Sequence, residues 1–171
     1  MSVFTQLPDG TELLIRPIEP ADKELLAAGL TRLSETSVQQ RFLGPKPRLT
    51  KGELRYLTEV DGTDHYALVA VAPQWRGAIV ASARFVRLAA DPRAAEAAIV
   101  VCDDLQGKGL GKLLARLLAD AARERGVRRI HATMLSQNPP ALALMRVIAE
   151  RLSDGGHDHG IHELVAELAA A

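Results

Sequence analysis

Leu110, Leu113, Leu114, Leu117, Leu118, Ala121 and Ala122 recur at intervals of three and four, and Gly126 follows them. That spacing lays one apolar stripe along a helix, with the glycine as its stop. Upstream, His65 to Ala72 and Gly77 to Leu88 are apolar runs containing β-branched residues, separated by Pro73 and Gly77, and predict antiparallel strands with a hairpin-like connection. Ala94 to Cys102 is small and apolar at both alternating sets of positions, as expected of a central strand buried on both sides. Thr11 to Pro17 alternates loosely and predicts a first strand, after which Asp22 is a candidate N-cap for a helix carrying Leu25, Leu26, Leu30 and Leu33. Ser34 or Ser37 opens a short helix through Phe42, and Thr50 with Glu53 forms a capping-box pattern for another ending near Gly62. Val127 to Leu135 predicts a strand, Pro139 to Leu152 a helix and Ile161 to Leu168 a final strand. The order implies an α/β or α+β sheet protein with helices against its faces.

At 171 residues the chain is expected to form one domain, residues 1–171, leaving no room for a separate regulatory one. Lys plus Arg and Asp plus Glu number 21 each, so no global field draws the chain to nucleic acid or an anionic membrane. Uncharged stretches such as Tyr66 to Trp75 fall short of the ~20 apolar residues of a spanning helix. The start, Met1 to Asp9, shows neither a basic leader nor a long apolar run, and the one cysteine, Cys102, excludes an internal disulfide. A cytoplasmic location is expected.

Gln106-Gly107-Lys108-Gly109-Leu110-Gly111-Lys112 lies between the buried strand and the strongest helix. Glycines there allow positive φ and close backbone approach, and the free amides of the helix's first turn favour a phosphate. A Walker loop would need Gly and Ser or Thr where Gln106 and Leu113 stand. A dinucleotide fingerprint would need a third glycine at Lys112 and a carboxylate where Arg128-Arg129 lie.

What remains is Q-x-x-G-x-G between a strand and an amphipathic helix, and here the sequence resembles the GCN5-related N-acetyltransferase (GNAT) superfamily. Asn138, Ala141 and Leu144 match the start of that superfamily's last major helix. Arg16-Pro17-Ile18, Leu33 to Ser37, Arg41-Phe42, Leu49-Thr50, Glu53-Leu54, Asp61 to His65 and Ala67 to Ala70 resemble the domain of Pat-type bacterial protein-lysine acetyltransferases. The resemblance implies a mixed, largely antiparallel sheet flanked by helices, with the cofactor loop after the fourth strand. It implies that acetyl-CoA is held by Val101, Gln106, Gly107, Lys108, Gly109, Leu110, Gly111, Lys112 and Asn138. The implied activity is transfer of an acetyl group to a primary amine, a protein lysine or a small molecule; a non-catalytic acyl-CoA-sensing module is the alternative.

Such a transfer needs a neutral amine, whereas lysine, with a pKa near 10.4, is protonated at pH 7. Glu96 is the only ionisable side chain between Ala94 and Cys102, and apolar neighbours would tune it as a general base. The Pat-type resemblance assigns that role to the glutamate of Ala95-Glu96-Ala97-Ala98; the alternative is a water-facing carboxylate paired with Arg93 or Arg84. Many superfamily members place a tyrosine acid where Met145 stands, so no general acid is assigned. Cys102 with His131 as activator is weighed against an inert buried thiol, which is preferred. His157, His159 and His162 lie among glycines and read as a polar hairpin loop, with no metal site expected. Arg123, Arg125, Arg128 and Arg129 read as a solvated helix end.

Overall fold

The computed structural model describes residues 2–169. Its strands are β1 (Val3–Gln6), β2 (Glu12–Pro17), β3 (His65–Ala72), β4 (Ala78–Leu88), β5 (Asp91–Val101), β6 (Arg129–Leu135), β7 (Ala149–Asp158) and β8 (Ile161–Leu168). Its helices are α1 (Lys23–Leu30), α2 (Glu35–Phe42), α3 (Lys51–Thr58), α4 (Leu110–Glu124) and α5 (Pro139–Ile148). The strands form one sheet in the order β1-β2-β3-β4-β5-β6-β8-β7, antiparallel throughout except for the β5–β6 pair. This is the mixed, largely antiparallel sheet with flanking helices that the sequence implies.

Strand alternation sends side chains to two separate cores. On one face Leu68, Ala83, Phe85, Ala95 and Ile130 pack against the buried stripe Leu110, Leu114, Leu118 and Ala122 of α4. On the other, Ala67, Val69, Val71 and Ile79 pack against Ile18 and Leu26, with Leu54 and Leu57 of α3 alongside. α4 ends in a Schellman motif: Val127 N–H donates to Ala122 O at 2.9 Å, Gly126 N–H to Arg123 O at 2.9 Å, and Gly126 takes φ +81°. Thr50 and Glu53 cap α3 reciprocally, and Ser34 caps α2.

Three local expectations change. Asp22 does occupy the α1 N-cap position, but its carboxylate makes no cap bond to the helix. It accepts two 2.7 Å bonds from Arg16 and one from Glu19 N–H instead. The last helix stops at Ile148, not Leu152: residues 149–158 pair with β8 as an edge strand, which defeats a helical spacing that Leu144, Ile148 and Leu152 continue on paper. β1, not foreseen, pairs with β2 at the opposite edge.

Candidate active site

The sheet opens where β5 and β6 part. Their parallel pairing covers only Ala94–Glu96 against Arg129–His131. Past that point β5 stays with β4 and β6 stays with β8. A cleft of about 700 Å³, counted with its open mouth, fills the wedge; Ala97, Ile99, Ala132, Met134 and, from α5, Ala141 and Met145 line it. Glu96 is the last paired residue and so sits at the vertex.

The glycine loop lies at the far end of β5. Gly107 and Gly109 have φ of +73° and +89°, the left-handed region, and a Cβ built on either would meet nothing within 4 Å. Gly109 is the N-cap of α4 and offers no side chain to the amides of the first turn. Those amides are therefore left for an outside acceptor, as an anion cradle requires. At Gly111, which packs near Leu144 and Val101, a Cβ would meet only ordinary contacts. Leu110 is fully buried, so only its backbone can serve a ligand.

The other expected cofactor residues have partners of their own. Gln106 Nε2 donates to Val101 O and to Ser37 Oγ, each at 3.0 Å, bracing the loop against β5 and α2. Cys102 N–H points to Val80 O of β4, so alternation turns the N–H and C=O of Val101 toward the wedge. Lys108 pairs with Asp9 at 2.7 Å, while Lys112 is exposed on the first turn of α4. Asn138 is buried at the lip of the cleft, and its Oδ1 accepts from Ala141 N–H at 3.2 Å as the cap of α5.

α2 is clamped onto the same region. Asp103, just after β5, accepts from Ser34 N–H at 2.9 Å, Ser34 Oγ at 2.6 Å and Ser37 Oγ at 3.0 Å. Burial opposes the charge of Asp103, but these bonds outweigh it and hold the carboxyl below its ordinary range. The clamp sets Arg41 of α2 against the cleft, within the field of Glu96. Glu96 itself is exposed, not enclosed among apolar neighbours. Among the described residues neither Arg93 nor Arg84 forms an ion pair with it. Its side chain shares a sheet face with His131, its partner across β6, and with Arg84, diagonal to it on β4.

The remaining candidates separate from this site. Cys102 is 4% exposed and burial pushes its thiol up, while His131 Nδ1 lies 2.9 Å from Glu163. Asp154, which spacing did not supply, comes within 3.1 Å of His157 and 3.3 Å of His162 on the exposed β7–β8 hairpin. Arg125 donates to Gly62 O and Ala121 O and lies over the Tyr66 ring. Arg84, which the sequence offers only as a possible partner of Glu96, is buried on β4 inside the apolar run Ala78–Val86, with Nη1 donating to Leu57 O at 3.2 Å.

Over residues 33–148 the chain matches the acetyltransferase (GNAT) family. The chain belongs to this family. It is 35% identical over 147 residues to the acetyltransferase Pat of Mycolicibacterium smegmatis, covering 86% of this chain and 42% of Pat. It therefore spans less than half the length of that relative. With the acetyltransferase PA5475 of Pseudomonas aeruginosa it shares 31% identity over 134 residues, 77% of this chain and 71% of that protein. The crystal structure of the GNAT domain of S. lividans PAT superposes with a TM-score of 0.86 at 29% identity, covering 98% and 97% of the two chains. The matched family is one of acetyltransferases, and both of these relatives are named as acetyltransferases. Among its described residues no helix is long and apolar enough to cross a membrane.

Proposed function

We propose that the protein transfers an acetyl group from acetyl-CoA to a primary amine by direct attack, with Glu96 as general base, and that the amine is a protein lysine. The observation that carries this reading is the wedge: a glycine loop with unclaimed amides at one end of β5 and a lone carboxylate at the vertex where β5 and β6 part. The backbones of Gly107 and Gly109 and the first turn of α4 would hold the pyrophosphate, and Val101 N–H would meet the pantetheine. The acetyl thioester, when bound, supplies the electrophile.

The chain's own part is to deliver a neutral amine. Glu96 takes the proton from the incoming ammonium, directly or through one water, because that amine is otherwise charged at pH 7. Exposure at the vertex lets the acceptor reach Glu96 from solvent. The resemblance of the segments from Arg16 to Ala70 to Pat-type domains supports a lysine acceptor. A small amine is the second reading, favoured by the apolar pocket that Arg41 and Arg84 line.

Thiol release from acetyl-CoA, measured with lysine peptides and with small primary amines, tests the proposal. Release that depends on the amine is expected. Tight acetyl-CoA binding with no release for any amine would replace the enzyme reading with the acyl-CoA-sensing one.

A further inference from the structure

Two arginines stand on the α1–α3 side of the sheet with no acidic partner. Arg84, on β4, is only 5% exposed. Its Nη1 donates to Leu57 O at 3.2 Å and lies 3.1 Å from His65 Nε2, while its Nε is buried without any partner. Arg41 lines the same pocket and also the cofactor cleft. Among the described residues no carboxylate lies within 4.0 Å of either guanidinium. Glu96 lies in the field of Arg41 but makes no ion pair with it, and the other nearby acids are committed elsewhere: Asp22 to Arg16, Asp64 to Arg87, Asp103 to the α2 serines.

Burial pushes Arg84 down to about 10, and the charge of Arg41 adds to the effect. Arginine nonetheless keeps its proton at neutral pH, so two positive charges remain in a poorly solvated place. An uncompensated buried cation is strongly destabilising, and an arriving anion relieves that penalty. A guanidinium presents a planar fork that matches a carboxylate in two parallel bonds.

The pocket has a volume of about 490 Å³ with its mouth, and Leu26, Leu30, Leu33, Phe42, Leu57 and Ile79 form apolar walls around these two charges. None of its walls comes from α4 or the glycine loop, so its occupant is not the phosphate end of the cofactor. Through Arg41 it adjoins the cleft that Ala97 and Ile99 line just past Glu96. We infer that this pocket binds a carboxylate carried by the acyl acceptor, so that the substrate is an amine bearing an acidic group and an apolar body. The inference rests on acetyl transfer to an amine and narrows which amine. The carboxylate belongs either to a free amino acid or to an acidic residue beside the lysine of a protein substrate.

The test begins with binding, using the full chain saturated with CoA. 4-Methylpentanoate and 4-methylpentanamide differ only at the group the arginines would read. Calorimetry should show the acid binding about tenfold tighter or more, and competing with the acceptor. Arg84→Gln should erase the difference while leaving acetyl-CoA affinity in place and, because it removes an uncompensated charge, without lowering the melting temperature. Arg41→Gln serves as the second variant where Arg84→Gln does not fold. Turnover then assigns the source, comparing L-leucine with L-leucinamide, and a lysine peptide carrying glutamate with one carrying glutamine beside the lysine. The acid should win through KM in one pair. For leucine this preference runs against reactivity, because the amide's less basic amine is more often neutral at pH 7. Equal binding of acid and amide, a preference that survives in both arginine variants, or indifference to the carboxylate in both turnover pairs overturns the inference. Acid binding with no acetyl transfer to any amine would instead remove the acetyl-transfer reading and the acceptor assignment, leaving an anion site.

Discussion

Replacing Gly109 by valine forces a β-branched side chain into a backbone held at φ +89°, although the new Cβ would meet nothing within 4 Å. The effect is therefore conformational, not steric: holding valine there costs about 1–3 kcal/mol, and the loop relieves it by moving the amides that begin α4. Losing one amide bond to a charged phosphate removes about 1.5–3 kcal/mol, which weakens acetyl-CoA binding roughly ten- to a hundredfold. Gly126 provides the control, since it has φ +81°, equally open surroundings and a place at the opposite end of the same helix. Calorimetric titration with acetyl-CoA, run beside thermal melts, separates the two effects. Both valine variants should lose stability, but only Gly109→Val should lose affinity. Normal binding by Gly109→Val, or an equal affinity loss in Gly126→Val, would refute the assignment of this loop to the cofactor.

Other outcomes follow from packing and charge. Phe85→Ala, at a fully buried position, should lose about 3–5 kcal/mol of unfolding free energy in denaturant titrations. Asp103→Ala frees Ser34 and Ser37, so amide exchange across Glu35–Phe42 should accelerate and acetyl transfer should fall with Arg41 displaced. Burial opposes the charge of Asp22, but bonds from Arg16 and Glu19 outweigh it and hold the carboxyl below 3.8. The stability this confers is complete above that value and is lost as pH falls through the lower folded one. Asp22→Asn should accordingly lose about 2 kcal/mol at pH 7 and show a flatter melting curve against pH in acid.

The elements with strong internal periodicity were legible in the sequence, and those held by their neighbours were not. α4 announces itself through its leucine stripe, a left-handed glycine at each end and a Schellman stop. β7 has nothing comparable: its residues are mostly exposed and polar, and backbone pairing with β8 holds it. β1 is likewise a short edge strand, with Phe4 pointing into solvent. At the site, the glycine loop and Glu96 could be read from spacing and strand context. Whether Glu96 is enclosed by apolar neighbours or faces water was left open by the sequence, and the structure shows it exposed at the point where β5 and β6 part. The convergence of Arg41 and Arg84 depends on how α2 docks on Asp103, a contact between segments far apart in the chain.

The central claim is that Glu96 removes a proton from an amine at the vertex of the wedge. Glu96→Gln keeps the shape of the side chain and abolishes its capacity to accept that proton. Acetyl transfer is followed across a pH series for both proteins, with acetyl-CoA affinity measured alongside. The account predicts a fall in turnover of roughly 10²-fold or more near pH 7. The defect should shrink as pH rises toward the ~10.4 of the amine, where neutral acceptor forms without help. Unchanged turnover in Glu96→Gln, or a defect constant across pH with affinity intact, would contradict it.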